Sequence, residues 1–137
     1  MSTALEDALA AVDIFAGLSR RQIKKLVEAG KEVRSSSEKV IAAEGLGALA
    51  FHIILEGTAE VTRAGNSLRE LGPGDYFGEI SMIDGKPRSA TVSATSEMTT
   101  FVIPHGQFAD LVQRDAELAS ALLVTLCGRL REAEARG

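Results

Sequence analysis

Between Val33 and Ile103 the chain reads as short apolar runs cut by turn residues at intervals of about ten residues, and this spacing restricts the fold more than any other feature. "KVIAA" gives way to "EGLG", "FHIIL" to "EGT", "AEVTR" to "AGN", "LREL" to "GPGD" and "ATVSA" to "TSE", while "MTTFVI" stops at Pro104. The runs are rich in β-branched residues and carry no helical period, so they predict strands. Many short, evenly spaced strands predict an all-β sandwich, barrel or jelly roll, with Gly57, Gly65, Gly72 and Gly74 at its corners.

Both ends change to a helical pattern. "SRRQIKKLVEAGK" opens on Ser19 with Gln22 three residues later, a capping box, and Ile23, Leu26 and Val27 then share a face. Gly30 is placed to end that helix. Before it, "ALEDALAAVDIF" predicts another short helix with Leu5, Leu9 and Val12 on one side. After Pro104, "GQFADLVQRD" predicts a short helix. A longer one follows with Asp115 as its cap, and Leu118, Leu122, Leu126 and Leu130 recur every four residues. Gly128 interrupts this stripe at a cost of about 1 kcal/mol relative to alanine, and predicts a kink, a hinge or close packing. The expected layout is one domain over residues 1–137: helices at about 3–30, the strand region at about 33–103, helices at about 105–134.

Composition narrows the function. The 137 residues are 45% apolar, enough for a sizeable core. The net charge of −4, with five Phe and one Tyr as the whole aromatic complement, argues against a surface that neutralises many phosphates, so no nucleic-acid partner is expected. No apolar run approaches the roughly 20 residues that span a bilayer, so no membrane partner is expected either. The first residues lack the basic start of a secretory leader. The single cysteine, Cys127, forms no internal disulfide, which fits a cytoplasmic location. Its place in the leucine stripe predicts a buried small hydrophobe.

The chemistry concentrates in "GDYFGEISMIDGKPRSATV", Gly74 to Val92. "EISMIDG" begins like a helix inside the strand region. A glycine followed by one helical turn presents backbone N–H groups that favour an anion. Arg88 returns to the same place after the "DGKP" turn, and arginine, planar and permanently charged, is suited to phosphate. Ser89 adds a hydroxyl and Ala90 a backbone N–H, and the small residues Ser89, Ala90 and Thr91 let backbone approach a ligand. Glu79 repels phosphate but accepts from a hydroxyl. An anion site beside a hydroxyl acceptor describes a ribose phosphate. In isolation a Glu and an Arg nine residues apart are an ordinary solvated ion pair; the surrounding pattern is what points to a site.

"FGEISMIDGKPRSATV" resembles the phosphate-binding cassette of the cyclic-nucleotide-binding domain, the family of the catabolite activator proteins, the protein kinase A regulatory subunits and the cyclic-nucleotide-gated channels. The likeness runs through "AFHIILEGTAEVTR", "LRELGPGDYFGE" and "FADLVQRDAELASALLVTLCGRLRE", from Ser19 to about Glu132. It implies a mainly β fold with flanking α-helices: an eight-stranded β roll, jelly-roll-like, with N-terminal helices and a C-terminal capping helix. It further implies that Gly78, Glu79, Ile80, Ser81, Arg88, Ser89, Ala90 and Thr91 form the ligand site. In it Glu79 would accept from the ribose 2′-hydroxyl and Arg88 would pair with the cyclic phosphate. Leu122, Leu123, Leu126 and Arg129 would cap the base when the final helix folds over it. In this family a Thr directly after the cassette Arg suits cGMP; Ser89 stands there, which favours cAMP with cGMP as the alternative.

The expected function is therefore a non-enzymatic cyclic-nucleotide sensor, with cAMP as ligand and no cofactor or metal. It signals through the C-terminal helices to a protein effector. The leucine stripe can also pair two subunits as a homodimer, or simply cover the roll. The alternative is a β-roll interaction module with a silent pocket or another small-anion ligand. A cupin-like metal enzyme needs a His-rich ligand cluster, whereas this chain has only His52, expected in a strand, and His105, expected in a loop.

Overall fold

The computed structural model describes residues 3–42, 49–87 and 90–136. It forms two units, one of residues 29–108 and one of residues 1–28 with 109–137.

The first unit is the β roll. Among the described residues its eight strands are β1 (Lys31–Ser35), β2 (Val40–Ala42), β3 (Ala50–Glu56), β4 (Ala59–Arg63), β5 (Asn66–Leu71), β6 (Tyr76–Phe77), β7 (Thr91–Ala94) and β8 (Met98–Pro104). They build two four-stranded antiparallel sheets, ordered β1-β8-β3-β6 and β2-β7-β4-β5. This is the mainly β roll with flanking helices that the spacing of apolar runs and the family resemblance predict. Inward side chains from both sheets meet in one core: Ile54, Ala59, Val61, Leu71, Phe77, Val92, Ala94 and Met98, with Ile41 and Ala90 packed against it. Removing such alternating apolar residues from water is the main stabilising term of the roll.

Local chemistry sets the corners. Gly57, Gly65 and Gly74 all have positive φ, whereas Gly72 does not. The β3–β4 corner is tied to the β7–β8 corner: the Thr58 N–H donates to Ser96 Oγ at 3.0 Å, and the Thr58 and Thr95 hydroxyls share a 2.7 Å bond. Gly30 is needed for closeness rather than for helix termination, because a β-carbon there would stand 2.5 Å from the ring of Phe101 and from the carbonyl of Val102.

The second unit is helical. The capping box forms at the start of α2 (Arg20–Glu28): the Ser19 N–H donates to Gln22 Oε1 at 2.9 Å and the Gln22 N–H to Ser19 Oγ at 3.2 Å. The segment before it is not one helix. α1 (Thr3–Ala10) ends before Val12, and a 3₁₀ turn follows at Asp13–Phe15; Leu5, Leu9, Val12, Ile14 and Phe15 are all buried nonetheless. Arg20 pairs with Asp7 at 2.9 Å, joining α2 to α1.

α4 (His105–Arg114) and α5 (Ala116–Arg136) close the chain. His105 is thus the first residue of a helix, not part of a loop. Asp115 caps α5 as expected, its Oδ1 accepting from the Leu118 N–H at 3.0 Å, while Oδ2 accepts from Lys25 of α2 at 2.5 Å. The Lys25 ammonium first, and the Leu118 N–H second, hold this carboxyl below the ordinary carboxylate range.

The leucine stripe is buried only over its first half. Leu118 and Leu122 are buried, but Leu130 is 65% exposed and Cys127 is exposed, contrary to the expectation of a buried thiol. A four-residue step overshoots a 3.6-residue turn, so a stripe repeating every four winds around the helix and leaves the face it began on. α5 runs unbroken through Gly128, and a β-carbon there would meet nothing, so neither a break nor close packing accounts for this glycine.

Candidate functional site

A cavity of about 510 Å³ opens in the roll unit, within the size range of small-molecule sites. Its acidic side is the segment that carries the sequence signal. β6 ends at Phe77, Gly78 turns, and α3 (Glu79–Asp84) starts at once. Gly78 sits at φ 82°, ψ 8°, a left-handed conformation that costs a side-chain-bearing residue but not glycine. That turn aims the start of α3 at the cavity. The helix then closes on itself, the Met82 N–H donating to the Gly78 carbonyl and the Gly85 N–H to the Ser81 carbonyl, each at 2.9 Å. Buried Met82 anchors it, and Ile80, 68% exposed, stands at the cavity.

Of the residues expected at the site, Gly78, Glu79, Ile80, Ser81 and Ala90 line this cavity. Thr91 does not. It lies in β7 opposite Thr62, while the next pair, Val92 and Val61, faces the cavity; neighbouring residues of a strand point to opposite faces. Arg88 and Ser89 lie outside the described residues; in sequence they fall between Pro87 and Ala90, both of which line the cavity. Leu122, Leu123, Leu126 and Arg129 stand on α5, in the helical unit. Leu122 is buried there, Leu126 half-buried, and Leu123 and Arg129 exposed.

Three lining residues escape a reading of the sequence: Arg63, Leu68 and Arg69, all from the β4–β5 hairpin. Strand pairing explains their placement. Val61 pairs with Arg69 but the next residue, Thr62, pairs with Ser67, so Leu68 is an extra residue in β5. Such a bulge breaks the alternation and lets two consecutive side chains reach one cavity. Val61, Phe77 and Val92 add apolar surface, so the lining combines a carboxylate, arginine side chains and apolar groups.

Neither histidine lines the cavity. His52 is buried in β3, its ring stacked on Phe77 at 4.7 Å and 8°. His105 Nδ1 lies 2.7 Å from the carbonyl oxygen of Met82. Among the described residues no group of three or more His, Cys, Asp or Glu side chains could hold a metal ion, and no helix is long and apolar enough to cross a membrane.

Known proteins resemble this chain in sequence and in fold. A family model for the cyclic nucleotide-binding domain matches residues 32–115. The cGMP-dependent protein kinase of Toxoplasma gondii is 36% identical over 101 residues, which is 73% of this chain and 10% of the kinase. The cAMP-dependent protein kinase regulatory subunit of Debaryomyces hansenii is 31% identical over 109 residues, 78% of this chain and 24% of that subunit. The chain therefore spans between a tenth and a quarter of these two relatives. Among solved structures, the N-terminal domain of a transcriptional regulator from Streptomyces coelicolor A3(2) superposes with a TM-score of 0.85 at 27% identity, covering 95% of this chain and 94% of that one. The family match spans the roll, the short helix behind Gly78 and the cavity they enclose: the chain belongs to the cyclic nucleotide-binding domain family.

Proposed function

We propose that this chain is a sensor domain that takes a purine cyclic mononucleotide, cAMP first, into the cavity beside α3. The observation that carries the reading is the placement of Gly78, Glu79, Ser81 and Ala90 around one cavity of about 510 Å³ in the segment the family model covers. In this reading Glu79 accepts from the ribose 2′-hydroxyl, and Arg88 holds the cyclic phosphate through paired N–H donors. Ser89 and the backbone N–H groups at Gly78 and Ala90 complete the phosphate's ligands. The role of the site is to bind and report rather than to catalyse.

Signalling follows from a difference between states. Nucleotide in the cavity favours a conformation in which α5 folds over the base, with Leu122, Leu123, Leu126 and Arg129 as the capping residues. The nucleotide shifts that equilibrium only by its differential affinity for the two conformations. A protein effector then reads the position of α5.

A second reading has its own support. Arg63 and Arg69 line the cavity, and arginine donates in pairs to the O6 and N7 edge of guanine. A relative at 36% identity is a cGMP-dependent kinase. If cGMP is the ligand, Arg69→Ala weakens cGMP binding and leaves cAMP binding unchanged.

Calorimetric titration with cAMP and then cGMP, beside an Arg88→Ala control, decides among these. Leaving the phosphate unpaired costs about 2–5 kcal/mol, or roughly 30- to 4,000-fold in affinity. Saturable binding that the control loses supports the sensor. Binding unaffected in the control removes the pose. Absence of binding by either nucleotide moves the domain to a protein-interaction role or to another small anion.

A further inference from the structure

We infer that His105 is a positioning residue of this site: its imidazole holds the C-terminal end of α3 and thereby sets where Gly78 and Glu79 stand in the cavity. The inference rests on the reading above only for the identity of the ligand.

α3 has six residues, too few for intrahelical bonds to fix it in place. The Ser81 carbonyl accepts from the Gly85 N–H, but the carbonyls after it need donors from outside the helix. His105 supplies one. Nδ1 lies 2.7 Å from the Met82 carbonyl oxygen, and since a carbonyl only accepts, the ring proton resides on Nδ1. The ring is itself held from its own backbone, because the His105 N–H donates to the Leu49 carbonyl at 2.8 Å, immediately before β3. His105 is thus anchored to the roll on one side and to α3 on the other.

The chain also makes room for the ring. Gly85 ends α3 at φ 70°, ψ 20°, and a β-carbon there would stand 2.9 Å from His105 Nε2 and 3.0 Å from Cε1. A side chain at 85 would push the imidazole off the Met82 carbonyl. Met82 is fully buried, so its carbonyl has no ready exchange of partner with solvent. A buried acceptor stripped of its donor drives local rearrangement, and the element free to rearrange is the short helix that carries Glu79. Glu79 begins α3 and Met82 lies one turn later, so a tilt at one end is delivered to the other.

The test compares four proteins: wild type, His105→Ala, His105→Asn and His105→Phe. Asparagine carries an N–H at the same reach from the backbone as Nδ1, whereas phenylalanine keeps the ring without a donor. Each is titrated with cAMP and cGMP and melted without ligand. We expect His105→Ala and His105→Phe to weaken nucleotide binding by about 5- to 30-fold and His105→Asn to stay within about 3-fold of wild type. Affinity equal to wild type in His105→Phe overturns the inference, and so does an Asn variant as weak as Phe. If His105→Ala does not fold, the Asn and Phe pair decides alone. If wild type binds neither nucleotide, the ligand reading has failed and hydrogen exchange over residues 78–86 decides instead. Faster exchange in His105→Phe, restored in His105→Asn, supports the inference; equal exchange in all variants overturns it.

Discussion

Glu79 and Asp115 are both carboxylates at the start of helices, yet they do different work. Asp115 is satisfied twice, by the Leu118 N–H and by Lys25, whereas Glu79 faces the cavity with Gly78 and Ser81. Two predictions belong at this scale. Because its folded pKa is lowered, Asp115 stabilises the fold fully above the ordinary carboxylate range. That stabilisation declines as pH falls from the unfolded value through the folded one. Thermal melts against pH should show Asp115→Asn melting below wild type at neutral pH and converging with it in acid, with Asp115→Ala lower still because the cap is lost as well. At the cavity, Glu79→Gln keeps an acceptor and adds a donor but removes the charge. Calorimetry should find it weakens a ribose-bearing ligand by about tenfold, against a small effect on 2′-deoxy-cAMP, for which the hydroxyl is missing. An equal loss with both ligands would take Glu79 off the 2′-hydroxyl.

At the scale of elements, the chain was readable wherever a local rule decides. Ser19 with Gln22, and Asp115 before its helix, announce their caps because the bonds they make are three residues long. The strand rhythm and the turn at Gly78 are local in the same sense. Two features depended on partners distant in sequence and could not be read. The bulge at Leu68 exists only once β4 and β5 have chosen their register, so the contribution of Arg63 and Arg69 to the cavity was invisible. Exposure of Cys127 depended on how far around α5 the covered face extends, which the spacing of leucines alone misjudged. Two glycines test the element scale. Gly128→Ala replaces a residue with open space around it inside a continuous helix, and should raise stability by up to about 1 kcal/mol in denaturant titration. Gly85→Ala meets both a positive φ and the ring of His105, and should lower stability instead.

For the whole molecule, the proposal that occupancy of the cavity is reported by α5 makes a measurable claim. Hydrogen exchange over residues 115–132 should slow when nucleotide is added, most around Leu122 to Arg129, and the change should vanish in Arg88→Ala. Equal protection with and without nucleotide would leave the domain a binding module whose output runs through some other surface. Independently of any such movement, we propose that the exposed Leu123, Val124 and Leu130 of α5 meet a second copy or an effector. Sedimentation of wild type beside Leu123→Glu and Leu130→Glu separates the two: a concentration-dependent dimer abolished by glutamate assigns these residues to self-pairing.

The bulged residue in β5 has a consequence for how such a domain can change. The start of α3 is tied to a left-handed glycine and to a closed set of backbone bonds, so few substitutions are tolerated there. Leu68 has no opposite number on β4 and is half exposed, so its side chain can be exchanged without disturbing a ladder pair. The start of α3 is therefore constrained by its backbone, whereas position 68 of the lining is not. A library built at position 68 alone would vary the lining of the cavity while leaving every β4–β5 pair in register, so ligand preference and fold stability could be changed separately.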